Sequence, residues 1–163
     1  MASEQPSASV LVEETVTAPA LPSGLDALHG ALARFWSEVD AVLHHPPDRA
    51  QRLRLETAAM EIATNIIRHA HPPGAPQGTM RLRLRAYADR IEILFTDNGL
   101  ALRPPQPKKR PADEVTDPME IPEGGYGLAL TRATVDEMNY ERSPEGTNVW
   151  RLLTWLDPAA PGA

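Results

Sequence analysis

The chain of 163 residues has no cysteine. That excludes a disulfide framework, a thiolate nucleophile and a cysteine-ligated zinc or iron–sulfur site. Its five histidines fall into no recognisable metal-ligand spacing. No run of about 18 apolar residues occurs, the length a membrane-spanning helix needs. The opening MASEQPSASV holds neither a basic nor an apolar stretch, so no secretory signal is visible. Positive charge is short as well. Sixteen Lys and Arg stand against 22 Asp and Glu, a formal charge of −6, which argues against a nucleic-acid surface. The expectation is a cytoplasmic protein with no direct nucleic-acid partner and no membrane partner. What is present is an ordinary globular mix, 42% apolar and 23% charged, sufficient for one domain with its own core.

Residues 1–23 combine Ser, Thr, Ala, Pro and Glu with a short apolar patch at Val10–Val12. The expectation there is a flexible tail, as it is for residues 157–163. Between them, 24–156 reads as the domain. Leu25, Leu28, Leu32, Phe35, Val39 and Val42 recur at helical spacing after Ser23, with Asp26 in a capping position. Pro46 and Pro47 end this helix. Asp48 offers an N-cap to a second helix reaching about Ala70, with Leu55, Ala59, Ile62 and Ile66 as its buried stripe. Residues 79–96 change to period two and predict a β-hairpin. Six prolines in 100–123 forbid a continuous helix or a central strand there, and a segment of that length reads as a lid or a disordered insertion. A helical pattern then runs from Leu128 through Met138. A last strand follows, with Val149, Leu153 and Trp155 facing one way. This order predicts an α+β fold, a two-layer sandwich with helices on one face of a mostly antiparallel mixed sheet.

Four short features carry chemistry, and each also has a plainer reading. Glu61 and Asn65 lie one turn apart on one helix face, with Arg68 and His69 continuing the stripe. They are either a solvated face or a carboxylate base beside a hard oxygen ligand suited to Mg²⁺. Asp97-Asn98-Gly99 is either a turn or a carboxylate at a sheet edge that accepts from an exocyclic amine, with Gly99 giving a ring room to approach. Gly124-Gly125-Tyr126-Gly127-Leu128 enters a helix, whose free N–H groups suit phosphate. No Walker lysine follows, and the order is not that of a dinucleotide fingerprint. Gly146-Thr147 precedes the last strand.

Taken in order, the set is more specific than its parts. It resembles the Bergerat-type ATP-binding fold, the GHKL superfamily shared by sensor histidine kinases, DNA gyrase and MutL. Within it, the run Glu61-Ile-Ala-Thr-Asn65-Ile-Ile-Arg68-His69-Ala70-His71 is most similar to the stand-alone anti-sigma-factor serine kinases of the RsbW and SpoIIAB type. The resemblance covers about residues 24–156. It implies ATP and Mg²⁺ as cofactors, Asn65 as the metal ligand and Glu61 as general base on an acceptor serine. It implies Asp97 on the adenine amine, with Thr147 in support and Gly99 beside it. Gly125, Tyr126, Gly127 and Leu128 would hold the phosphates, with Arg68 and His69 completing the nucleotide-binding set. Residues 100–123 take the place of the ATP lid, and Lys108, Lys109 and Arg110 within it are either phosphate contacts or a solvated run.

The implied function is a serine/threonine protein kinase and anti-sigma factor. Its implied partners are a STAS-type anti-sigma factor antagonist, a sigma factor and, as in relatives, a second copy in a homodimer. Three places depart from the pattern. Ala101 stands where a second glycine is usual, Tyr126 where arginine is frequent, and the lid is long and proline-rich. The competing readings are a non-catalytic partner-binding module on the same fold, and the catalytic domain of a histidine kinase with His29 as phosphoacceptor.

Overall fold

The computed structural model describes residues 9–71, 74, 76–101 and 126–156. Among them the order is β1 (Val12–Pro19), α1 (Gly24–Val42), α2 (Arg49–Asn65), a π-helical turn (Ile66–Ala70), β2 (Thr79–Ala86), β3 (Arg90–Asp97), α3 (Tyr126–Thr134), β4 (Glu137–Arg142) and β5 (Asn148–Trp155). The strands make one sheet in the order β1-β2-β3-β5-β4. Every neighbouring pair is antiparallel, so among the described residues the sheet is not mixed. The α+β, two-layer architecture is as expected from sequence.

The core lies between one sheet face and the helices. Leu28, Leu32, Phe35 and Val39 of α1 and Leu55, Ala59 and Ile62 of α2 meet Leu82, Leu84, Ile91, Ile93, Phe95, Trp150 and Leu152 from the strands. Burial of these side chains is the main force holding the two layers together. Asp48 caps α2 through a full capping box: its carboxylate accepts from the Gln51 N–H, and the Gln51 side chain accepts from the Asp48 N–H. Arg52 then ties α2 to the connection and to α1, donating to the Pro47 carbonyl and to both Asp40 carboxylate oxygens.

Several expectations need correction. The segment 1–23 is not a tail throughout, because 12–19 form an edge strand paired with β2 from Val12↔Ala86 to Pro19↔Thr79. Val12 and Ala18 are buried and Val16 is partly so, a period-two pattern in which the β-branched Thr15 and Thr17 take the opposite face. Ser23 makes no side-chain cap to α1, and Val42 is exposed. The second helix stays α-helical only to Asn65 before the π turn. The third helix ends at Thr134, and Met138 belongs to β4. In β5 the buried face carries Asn148, Trp150 and Leu152. Val149, Leu153 and Trp155 do face one way, as expected, on the opposite face.

Candidate functional site

Asp97 ends β3 on the helix side of the sheet and is 4% exposed. Its Oδ1 accepts from the Gly99 N–H at 2.8 Å and from Asn148 Nδ2 at 2.8 Å. Its Oδ2 is buried and has no hydrogen-bond partner among the described residues. A buried carboxylate oxygen left unpaired costs on the order of 1–3 kcal/mol or more, and such atoms are rare in native structures. A ligand donor placed there would remove that cost.

The turn after Asp97 is fixed from two sides. Leu100 N–H donates to the Ala70 carbonyl at 2.7 Å, which docks the turn on the end of the π segment. Gly99 sits so close that a Cβ there would stand 2.3 Å from Ala70 Cβ and 2.5 Å from its carbonyl oxygen. The glycine is therefore required by contact with Ala70, and the expected open space for an approaching ring is filled by that residue.

Glu61 is brought to the start of α3, which packs on α2. A Cβ on Gly127 would lie 2.3 Å from Glu61 Oε2, so the carboxylate occupies the place a side chain at 127 would take. Glu61 and Asn65 are both half-buried. Among the described residues, neither side chain has a hydrogen-bond partner. Arg68 and His69 are exposed on the π turn, and Leu128 packs against the core. Gly125, the Tyr126 side chain, Lys108, Lys109, Arg110 and the expected lid from 102 to 123 lie outside the described residues. Among the described residues no cluster of three or more His, Asp or Glu could hold a metal ion. No described helix is long and apolar enough to cross a membrane.

Thr147 is not the side chain that reaches Asp97. Asp97 and Asn148 are Cα partners across β3 and β5, so residue 148 lies on the Asp97 face, and it is the Asn148 amide that donates to Asp97 Oδ1. Thr147 lines a depression with Thr17, Thr79, Arg81, Thr96, Asp97 and Asn98. Asn148, 2% exposed, is the residue that sequence reasoning missed. A signal was available in the alternation Asn148, Trp150, Leu152, had the buried face of the last strand been assigned to it.

The arrangement offers an amine-accepting carboxylate at one end and, at the other, a carboxylate and an amide oxygen beside a helix start. A family model described as the histidine kinase-like ATPase domain matches residues 21–152. The serine/threonine-protein kinase BtrW of Bordetella bronchiseptica is 32% identical over 79% of this chain and 85% of its own length. The serine-protein kinase RsbW of Halalkalibacterium halodurans is 33% identical over 52% of this chain and 51% of its own. That of Bacillus licheniformis is 28% identical over 61% and 73%. This chain belongs to the histidine kinase-like ATPase family, in the branch that holds the RsbW and BtrW kinases.

Proposed function

We propose that this protein binds ATP with Mg²⁺ and phosphorylates a serine or threonine of a STAS-type anti-sigma-factor antagonist, and that it also sequesters a sigma factor. The observation that carries this reading is Asp97 Oδ2, buried without a partner where the family resemblance puts the adenine amine. The names of the relatives, serine and serine/threonine kinases, support the same chemistry.

The residues present fit such a substrate. Asp97 supplies an acceptor with no competing partner among the described residues. Asn65 offers the hard oxygen that Mg²⁺ prefers, and the metal would supply neutralisation of phosphate charge. Gly127 leaves room for the Glu61 carboxylate at the α3 start, whose N–H groups would receive phosphate oxygens. Glu61, held against Gly127, would accept the proton of the acceptor hydroxyl. In that step the acceptor oxygen bonds to the terminal phosphorus, the bond to the bridging oxygen breaks, and ADP leaves. Partner exchange follows if nucleotide state changes the affinities for antagonist and sigma factor unequally.

The test is transfer of the labelled terminal phosphoryl group of ATP to a purified STAS-domain protein, with wild type and Glu61→Gln. The reading expects transfer by the wild type, and a loss of at least 100-fold in Glu61→Gln with ATP affinity retained. Binding of ATP with no transfer by the wild type would instead assign a non-catalytic partner-binding role on the same fold, the reading that Ala101 favours.

A further inference from the structure

The environment of Asn148 goes beyond that reading and rests on it. The side-chain amide is fully used. Its Oδ1 accepts from Tyr140 Oη at 2.8 Å and from Arg142 Nη1 at 2.6 Å. Its Nδ2 donates to Asp97 Oδ1 at 2.8 Å and to the Leu100 carbonyl at 2.9 Å, with the Gly99 carbonyl at 3.4 Å. An amide has two donor hydrogens and two acceptor lone pairs, and all four are engaged. Two donors converging on Oδ1 fix which end of the amide is oxygen, so the NH₂ group must face Asp97. Arg142 Nη1 also reaches the Gly99 carbonyl at 3.0 Å, and the Tyr140 ring packs tilted against Trp150 with centroids 4.6 Å apart. The amide is thus held from the β4 edge as well as from within β5.

This has a directional consequence for Asp97. Both known donors, Gly99 N–H and Asn148 Nδ2, go to Oδ1, and Asn148 has no hydrogen left for Oδ2. The carboxylate is therefore held with one oxygen satisfied and the other, Oδ2, left as an acceptor. We propose that Asn148, oriented by Arg142 and Tyr140, is a positioning residue that sets base specificity: it holds Asp97 so that only Oδ2 is offered, selecting a 6-aminopurine over a 6-oxopurine nucleotide. A 6-oxo group presents an acceptor to an acceptor, and a buried site built to receive a donor rejects such a ligand strongly.

The experiment compares ATP with ITP, which differ at that position, by titration calorimetry on the full chain. Wild type, Asn148→Asp and Arg142→Gln are measured, each with its thermal midpoint. Asn148→Asp keeps the acceptor toward Tyr140 and Arg142 but removes the NH₂ donor and sets a second carboxyl group against Asp97. It is expected to lower the ATP-over-ITP preference by about ten-fold or more. Arg142→Gln, at an exposed position of β4, is expected to lower it by about three-fold and leave the fold intact, which covers the case in which the buried acid prevents folding. Mere structural damage would weaken both nucleotides alike. A preference unchanged within two-fold in Arg142→Gln, or in a folded Asn148→Asp, would overturn the proposal. A wild type that binds neither nucleotide would overturn the reading on which the specificity claim stands. The clamp itself would then be judged by hydrogen exchange of the Gly99 amide, expected about ten-fold faster in Arg142→Gln, with unchanged protection counting against it.

Discussion

The two ends of the candidate site are built differently. Around Asp97, hydrogen bonds from β3, β4, β5 and the turn at 97–100 converge within a buried space. Around Glu61 and Asn65, two half-buried side chains stand one helical turn apart with no partner among the described residues. Apart from Asp97 Oδ2, the polar groups of that network are paired, and a buried network is rigid because misplacement leaves its groups unsatisfied. Half-exposed groups on a helix face can move by rotamer change at small cost. The proposed base end is thus preorganised by the fold, whereas among the described residues the proposed catalytic end is positioned by the helix and by Gly127. Recognition and chemistry should respond differently to substitution.

Asp97→Ala should have the largest effect on stability. It strands the Gly99 N–H and one hydrogen of Asn148 in a buried space, a loss of about 2–4 kcal/mol measurable by urea unfolding. Gly99→Ala comes next, since the new methyl meets Ala70 backbone and Cβ, which cannot yield by a rotamer change. Overpacking of this kind costs about 1–3 kcal/mol, and ATP affinity should fall with it. Gly127→Ala makes an equally short contact, at 2.3 Å, but with the far end of the Glu61 side chain. Its stability should stay within about 1 kcal/mol of wild type, helped by the helix preference of alanine, while turnover falls as the carboxylate is displaced. Two Gly→Ala changes that moved stability and turnover together would break the contrast between the two ends.

The smallest effect is remote from both. Arg52 donates to Asp40 and holds its carboxyl below the ordinary value of 3.8, against a smaller opposing effect of burial. A depressed carboxylate stabilises the fold above its unfolded pKa, and that contribution disappears as pH falls through the lower folded value. Arg52→Ala should therefore reduce stability near neutrality and flatten the loss below about pH 4. The side chain of Asp40 is 51% exposed, so solvent screening keeps the change under about 1 kcal/mol. Urea midpoints at neutral pH and at pH 3 would show it.

What could be read from the residues follows from how local each signal is. The α2 stripe, its Asp48 cap and the hairpin of β2 and β3 rest on contacts within a few residues, and they appear as expected. β1 was hidden because an edge strand needs only one buried side chain in two, and Val12, Val16 and Ala18 are too sparse to stand out among Thr, Glu and Pro. β4 was hidden by Val135 and Met138, whose spacing also suits a helix. The candidate site was legible as types in order, Glu61 and Asn65, then Asp97, then Gly127. Asn148 was not, because the alternation shows that Val149, Leu153 and Trp155 share a face but not which face of the strand packs on the helices. Its role depends on a pairing across 51 residues of sequence, and no local pattern reports that.

The most direct test of the account is titration calorimetry of Mg²⁺-ATP into wild type and Asp97→Asn. Donors on Gly99 and Asn148 would keep the new amide oxygen at the Oδ1 place and put its NH₂ group where Oδ2 stood, facing the adenine amine. Saturable binding by the wild type and a loss of at least 100-fold in the folded variant are expected. Binding that survives Asp97→Asn unchanged, or no binding by the wild type at millimolar ATP, would contradict it.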